Sequence, residues 1–339
     1  MFAMLRGAWP RVTSDGVDIG ILEAACAAGH GSVAELEAAV ERLVAEVVAA
    51  QVASGMGLVT DGSVRWADPV AAVLRAFSAG DTGPDGMLVR AWRATAALTE
   101  APVAAVIPGP CTLAAREGGT GQEPAVAEDR ADAFADALAG ELAALGEAGC
   151  AVIVVDEPAA VDVGADATVR GSFVRAHRRL LADAEDQHTM LAVTGGSALD
   201  TGPEALFGLA YNSYLFDLVE GPDNWHLVRA APGERGIVCA AMTAARDRVL
   251  GDQAPQLVWA AQYAASSNGR GLDRVGLANA SSLAGFEPAV AVSVLLGLGR
   301  AARLAELPLA EAVRQGLDPR AIRVMPGAPP PAPPAEPEL

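Results

Sequence analysis

An unbroken alternation of short apolar runs and amphipathic helical patterns constrains the fold of this chain more than any other feature. Several of the runs, such as Ala151–Asp156, are apolar at consecutive positions, which is typical of parallel strands buried on both faces. Eight runs have the composition of strands: Ala3–Trp9, Gly57–Asp61, Val103–Pro108, Ala151–Asp156, Met190–Thr194, Tyr214–Val219, Gly236–Ala241 and Arg274–Ala280. This alternation predicts an α/β fold, a closed (β/α)8 TIM barrel. A doubly wound open sheet is the main alternative, but no GxGxxG follows the first strand.

Helical patterns fill the intervals between these runs. The first long helix is expected to begin at Ser32, because Ser32 and Glu35 have the spacing of a capping box. Further helices are predicted at Ala125–Glu147, Val169–Ala184, Leu257–Ser267 and Pro288–Leu304. We expect residues 1–325 to form a single barrel domain, with an inserted loop and short hairpin at 79–97. Residues 326–339 are rich in proline and are expected to be disordered or extended.

Charge and residue usage exclude several classes of function. The formal net charge of −18 argues against nucleic acid as a partner, since its backbone requires clustered basic residues. The 24 basic residues are all arginine, so a Schiff-base lysine and the lysine of a phosphate-binding P-loop are both excluded. No apolar run reaches the ~20 residues of a membrane span, and the first ten residues lack the pattern of a secretory signal. We therefore expect a small-molecule substrate or ligand, with the oligomeric state left open.

Cysteine and histidine are few and widely spaced. The four cysteines form no CxxC pair, which is typical of reduced thiols in a cytoplasmic protein. The four histidines form no HxH, HxxxH or HxC pair, so the sequence contains no local metal signature. The prediction is a cytoplasmic protein without a bound metal or other cofactor.

The candidate site residues follow the apolar runs, where the loops of a barrel build the active site. Asp156 is the strongest candidate for a catalytic residue, because a carboxylate at the end of an apolar strand needs a partner or a ligand. It could hold an amine or act as a base, whereas a structural salt bridge to an arginine is the alternative. Trp9 is expected either to stack on a ligand or to pack in the core, and Asp61 with Arg65 could form an ion pair at the rim. The expected ligand-binding residues are Trp9, Arg11, Asp61, Ser63, Arg65, Thr112, Glu157, Thr194 and Ser281.

The same segments, in this order, resemble the catalytic C-terminal half of cobalamin-independent methionine synthase. Arg6-Gly-Ala-Trp-Pro-Arg11 resembles the IGSFPR motif that opens that half, and Val59-Thr-Asp-Gly-Ser-Val-Arg65 resembles its TDGE…R segment. Residues 107–112, IPGPCT, are similar to its GPVT segment, and residues 149–158 are similar to its GC…DEP strand. The resemblance spans roughly residues 4–305. It implies the barrel fold shared with uroporphyrinogen decarboxylase and a family reaction in which a methyl group moves from a folate to homocysteine.

The resemblance also implies a zinc ion that holds the homocysteine thiol as thiolate, through an HxC motif, a glutamate and a second cysteine. The corresponding positions here are Ala192 and Thr194 in the HxC place and Ser281 in place of the distal cysteine. Only the acidic ligand has candidates, Asp217 or Glu220. Because an alanine and two hydroxyls are not the ligands of a tetrahedral zinc site, we expect the zinc to be lost.

The family's amino-acid pocket is altered as well. Ala8 replaces the serine of IGSFPR, and Ser63 replaces the glutamate of TDGE, so Asp156 is the main polar residue that remains. The favoured interpretation is a zinc-independent enzyme acting on a small one-carbon, alkyl or carboxylate substrate. One alternative is a homologue without catalysis that binds a ligand or a partner. A second is a true homocysteine methyltransferase whose metal ligands lie at other positions.

Overall fold

The computed structural model describes residues 1–118, 124–184, 186–249 and 251–318, except for the side chains of 124–128. Seven parallel strands form one sheet. From the second strand to the seventh, each strand of this sheet pairs with the next one in the chain. They are Phe2–Met4, Ala104–Pro108, Val152–Asp156, His188–Val193, Ser213–Asp217, Gly236–Met242 and Val275–Asn279. The first strand pairs with the last, Phe2 opposite Gly276, so the sheet curls back toward its beginning.

The gap in this sheet is filled by a very short eighth strand. Leu58 forms a parallel bridge with Met4, and Val59 forms one with Val103. The backbone amide of Val59 donates to Pro102, and the amide of Ala104 donates to Val59. These contacts close the ring, and the predicted TIM-barrel fold is confirmed.

Helices surround the strands on the outside. Ser32 caps the first long helix as predicted, and its side chain accepts from the Glu35 amide. The longest apolar helix, Pro288–Glu306, has the length and composition to cross a membrane, but 56% of its apolar window is buried against the barrel. The described α-helices are Ile19–Ala27, Val33–Ala53, Pro69–Ala79, Met87–Ala96, Pro110–Gly118, Pro124–Glu147, Ala167–Leu180, Pro203–Phe207, Trp225–Ala230, Ala254–Ser266, Pro288–Glu306 and Leu309–Arg314.

Short elements complete the described structure. Ala244–Ala245 and Arg248–Val249 form a small antiparallel hairpin. Single 3-10 turns lie at Gly83–Asp85, Pro158–Val161, Pro222–Asn224, Ser267–Gly269 and Leu272–Arg274. The proline-rich segment 326–339 lies outside the described residues.

The hairpin expected within residues 79–97 is wrong, because this segment contains the helix Met87–Ala96. Leu88, Trp92 and Thr95 are spaced to share one helical face. Leu88 and Thr95 are buried, and the indole Nε1 of Trp92 donates to the carbonyl of Val103 at 3.1 Å. The glycines and the proline before Met87 form the 3-10 turn that precedes the helix.

The apolar core has two layers. The alternation of a strand sends successive side chains to opposite faces. Apolar residues fill the barrel interior: Met4, Leu58, Ala104, Val154, Met190, Ala192, Leu215, Val238, Ala240 and Ala278. The other face of each strand packs against the helices. Asp156 lies two residues beyond Val154, so it continues the interior face to the mouth of the barrel, whereas Glu157 belongs to the opposite face.

Candidate active site at the barrel mouth

A cavity of about 160 Å³ runs along the whole strand Ala104–Pro108 and reaches Asp61 and Asp156, which follow or end the neighbouring strands at the barrel mouth. Four predicted site residues line it: Asp61, Ser63, Thr112 and Asp156. Its remaining walls are mostly apolar and include two indole rings, those of Trp66 and Trp92. A mostly apolar cavity with a few polar groups at one end is the usual form of a small-molecule site.

Asp156 ends its strand with a carboxylate that is only partly covered. The hydroxyl of Thr194 donates to its Oδ1 at 3.3 Å. Burial raises the pKa of Asp156, and the positive charge of Arg6 opposes that rise. Among the ion pairs of the described residues, none joins Asp156 to an arginine within 4.0 Å. The salt-bridge alternative therefore lacks a direct partner, and a carboxylate of raised pKa faces the cavity.

Asp61 supplies a second carboxylate to the same cavity. Its Oδ1 accepts from the Ser63 amide at 2.8 Å, and its Oδ2 lies 3.6 Å from Nε of Arg65. Burial raises the pKa of Asp61, while the Ser63 amide and the Arg65 charge oppose the rise. Ser63 has φ +50°, an uncommon conformation for a residue with a side chain. The turn between Asp61 and Ser63 is thus held in a fixed and sparsely populated geometry at the cavity wall.

Arg65 does not line the cavity and lies behind it. Its guanidinium pairs with Glu41 and also lies 3.4 Å from the hydroxyl of Thr95, which does line the cavity. The ion pair with Asp61 that the sequence suggested is present. Arg65 therefore contacts two residues that line the cavity, Asp61 and Thr95, without lining the cavity itself.

Glu157 lies on the other side of the strand and is fully buried. Its carboxylate accepts from the Cys111 amide at 3.0 Å and from the Thr112 amide at 2.7 Å, and the Thr112 hydroxyl also donates to it. These donors belong to the first turn of the helix Pro110–Gly118, where a negative charge is favoured. Glu157 thus positions Thr112 at the cavity, but its own carboxylate does not line it.

Trp9, Arg11 and Ser281 are not among the residues that line the cavity. Trp9 is 4% exposed and packs beside Gly62, whose φ of +67° and close neighbours leave no room for a side chain. Arg11 forms two 2.6 Å hydrogen bonds with the carboxylate of Glu23. Trp9 and Arg11 were expected to bind ligand, and the structure gives both of them partners within the protein.

The positions that correspond to the family's zinc ligands lie at the ends of their strands. Ala192 is buried among apolar residues of the barrel interior, and Thr194 is 1% exposed beside Asp156. The backbone carbonyl of Ser281 accepts from Asn279 at 2.8 Å. Asp217 is fully buried; its Oδ1 accepts from the amides of residues 219 and 220, and its Oδ2 has no hydrogen-bond partner. Glu220 is exposed.

Sequence reasoning missed four residues that shape the cavity. Trp66, Trp92 and Thr95 line it, and the last two belong to the helix that was not predicted. Arg6 sits at the end of the first strand, where its amide donates to Asn279 at 2.9 Å and its guanidinium donates to Ala280. Arg6 was placed inside the predicted strand Ala3–Trp9, whereas the observed strand ends at Met4, so the choice of residues that follow strands did not include it.

Comparison with known proteins now bears on the resemblance. A family model described as the catalytic domain of cobalamin-independent synthase matches residues 71–171. This match covers two of the four motifs, the segments at 107–112 and 149–158, and the resemblance to that family is confirmed. A search of curated proteins found no match.

Solved structures of two bacterial proteins resemble the whole barrel. A putative vitamin-B12-independent methionine synthase from Listeria monocytogenes is 16% identical, with a TM-score of 0.67, over 89% of this chain and 98% of its own. A B12-independent methionine synthase from Shewanella sp. W3-18-1, solved in complex with selenomethionine, is 14% identical, with a TM-score of 0.69, over 93% and 99%. At these identities the likeness establishes the fold, which is that of a methionine-synthase-like TIM barrel.

Proposed function

We propose that this methionine-synthase-like barrel is an enzyme that acts, without zinc at its mouth, on a small one-carbon, alkyl or carboxylate substrate. The observation that carries the proposal is the pair of carboxylates, Asp61 and Asp156, in one mostly apolar cavity. Burial raises the pKa of both groups. Carboxyl groups whose pKa is moved toward neutrality can accept or donate protons at working pH, and such groups cluster at functional sites.

Asp156 is the residue proposed to contact the substrate. Thr194 binds only one edge of its carboxylate, so the other oxygen remains available to an amine or a hydroxyl from the cavity. A cationic amine would stabilise the ionised carboxylate and offset its burial cost. The indoles of Trp66 and Trp92 supply apolar and cation-binding surface for the rest of the ligand.

The residues at the family's zinc position do not fit zinc. Ala192 offers a methyl group, and the hydroxyl of Thr194 is engaged with Asp156. Asp217 is the only strong donor there with an unpartnered oxygen among the described residues. One carboxylate with hydroxyls lacks the nitrogen and sulfur ligands of a zinc thiolate site. The proposal therefore uses no metal-bound thiolate, and homocysteine methylation is not the reaction proposed.

Two alternatives remain as outcomes of the test. A homologue without catalysis would bind a ligand in the cavity and release it unchanged. A homocysteine methyltransferase with differently placed ligands would form methionine from a methyl-folate and would contain zinc at the mouth. The cytoplasmic location and the small-molecule partner predicted from the sequence stay part of the proposal.

The test is a binding screen followed by turnover. The full chain is screened with amino acids, including methionine and selenomethionine, and with folates, thiols and carboxylic acids, by thermal shift and calorimetry. A hit should bind the wild type and lose at least ~10-fold in affinity in Asp156→Asn, since the shape is kept and the charge is removed. Product analysis of the hit then separates catalysis from simple binding.

A matched control keeps this result interpretable. Asp223 is exposed and lies outside the cavity, so Asp223→Asn removes one charge without touching the site. Equal loss of affinity in both variants, or no loss in Asp156→Asn, would contradict the role given to Asp156. A hit that binds but yields no product under any condition would favour the homologue without catalysis. Methionine formation from methyl-folate at an ordinary enzymatic rate would overturn the proposal.

A further inference from the structure

A cluster of three metal-ligand side chains lies on the outer face of the strand that ends in Asp156, away from the mouth. We call it the outer cluster; it consists of Cys111, Glu157 and His177. One ligand atom from each residue, the Cys111 sulfur, a Glu157 oxygen and a His177 nitrogen, lies within 4.8 Å of the others. The cluster is one residue along the chain from the proposed catalytic carboxylate, but on the opposite side of the strand.

The distances in the outer cluster suit a tetrahedral ion. His177 Nε2 lies 3.2 Å from Glu157 Oε2. In a tetrahedral zinc site, a nitrogen and an oxygen at ~2.0 Å from the metal are ~3.3 Å apart, and sulfur lies ~3.6 Å from either. The nitrogen–oxygen pair already has this separation, and the sulfur lies within 4.8 Å of both atoms, so it would approach them by at most ~1.2 Å on metal binding.

One ring nitrogen of His177 is buried without a hydrogen bond. His177 is fully buried, and although its Nε2 lies 3.2 Å from Glu157 Oε2, the angles at this contact are not those of a hydrogen bond. Its Nδ1 lies 2.7 Å from the hydroxyl of Tyr211, which is the arrangement that orients a metal-binding histidine from behind. When Nδ1 donates to this hydroxyl, Nε2 carries a lone pair that faces the carboxylate of Glu157. Two acceptors at this distance repel each other unless a cation lies between them.

The outer cluster is accessible from one side, and its set of donor atoms favours one class of ion. Cys111 lines a second cavity of about 200 Å³, together with residues such as Ser172 and Phe173. Cys111 is itself partly exposed, so water can approach the outer cluster from its side and fill a fourth position. A mixture of sulfur, nitrogen and oxygen favours zinc-like ions over Mg²⁺ and Ca²⁺, which prefer oxygen ligands.

We propose that Cys111, Glu157 and His177 bind a divalent transition-metal ion of the zinc type on the outside of the barrel. The site is separate from the mouth and does not depend on the proposed enzymatic function. By tying the helix of Cys111 and the helix of His177 to the strand of Glu157, the ion would stabilise the wall that carries Thr112. The sequence prediction of no metal rested on local spacing, and these ligands come from three distant positions.

The test uses the full chain, stripped with a chelator, dialysed and kept reduced, and titrated with Co²⁺ and Zn²⁺. One equivalent of Co²⁺ should produce the near-ultraviolet charge-transfer absorption of a cobalt–thiolate bond, and Zn²⁺ should displace it. Cys111→Ser should abolish this absorption and weaken Zn²⁺ binding by at least ~100-fold, since ligand loss exceeds the loss of an outer-shell partner. Zn²⁺ should also raise the melting temperature of the wild type but not of Cys111→Ser.

Control variants distinguish the outer cluster from metal binding elsewhere on the chain. Cys26 is another half-exposed free cysteine outside the outer cluster, so Cys26→Ser should keep the absorption. Absence of the band in the wild type, or its survival in Cys111→Ser, would overturn the proposal and leave a plain hydrogen bond between Glu157 and His177. Zinc that survives Cys111→Ser but is lost in Thr194→Ala would instead lie at the mouth. That result would contradict both proposals, whereas failure of the cobalt test alone leaves the mouth proposal standing.

Discussion

Substitution of Gly109 by alanine tests how strongly the buried Glu157 carboxylate holds the cavity wall. A Cβ at Gly109 would lie 2.2 Å from Oε2 of Glu157 and 2.5 Å from its carboxyl carbon, so the carboxylate must move. The carboxylate accepts from two backbone amides and one hydroxyl of Cys111 and Thr112. Hydrogen bonds to a charged group are worth about 1.5–3 kcal/mol each, and loss of two costs about 3–6 kcal/mol. Such a loss is a large share of the ~5–15 kcal/mol stability of a native protein.

Urea unfolding followed by circular dichroism measures this cost. The urea concentration at the midpoint is compared between variant and wild type, provided that the m-value is unchanged. Gly140 is the matched control, because it lies in the helix Pro124–Glu147 and a Cβ there meets no atom within 4 Å. Gly140→Ala should stabilise the protein by about 0.5–1 kcal/mol. A loss of less than about 1 kcal/mol in Gly109→Ala would refute the reasoning, because the carboxylate could then move without losing its donors.

Two further predictions concern buried charges. Burial raises the pKa of Asp156 in the folded state above its ordinary value of 3.8. The folded state therefore binds the proton more tightly than the unfolded state does. As the pH rises above 3.8, ionisation of Asp156 lowers the free energy of unfolding. Asp156→Asn should therefore be more stable than the wild type at pH 7, and melting curves should show this gain disappear below pH 3.8; a gain that persists at low pH would contradict the linkage. Arg270 is 1% exposed and donates to the carbonyls of Ala231, Arg235 and Ala264. Arg270→Leu should cost about 3 kcal/mol or more in urea unfolding, since it leaves buried carbonyls without donors, and a neutral result would show that water replaces the guanidinium.

The barrel could be predicted because its signal is repeated. Each strand is a continuous apolar run, and eight such runs in alternation with helices leave few topologies. The ends of the strands were less certain: the first run suggested Ala3–Trp9, but the strand ends at Met4. Trp9 continues the apolar pattern for a different reason, because it packs against the loop around Gly62. Apolar composition reports burial, and burial does not require pairing in a sheet.

The candidate site was predictable only in part. Asp156 and Glu157 are adjacent, and composition does not show which of two consecutive carboxylates faces the mouth; the alternation of the strand decides it. Glu157 was expected to bind ligand, but it holds a helix from behind. The partner His177 lies 20 residues further along the chain in a helix, so no local spacing links it to Glu157. The helix Met87–Ala96 brings Trp92 to the cavity. The glycines and the proline before this helix are typical of a loop, and the helix was not predicted.

The short strand at residues 58–59 is paired over fewer residues than the strand that ends in Asp156. Asp156 ends a strand paired along five residues with one neighbour and along five with the other. Asp61 follows a strand that has only two bridges, and the buried amide of Gln51 completes its pairing by binding both the amide and the carbonyl of Thr60. A single side chain thus supplies the hydrogen bonds that longer strand pairing supplies elsewhere in the sheet. The position of Thr60, and of Asp61 after it, therefore depends on the helix Val33–Ala53 outside the barrel, whereas Asp156 is positioned by the sheet itself.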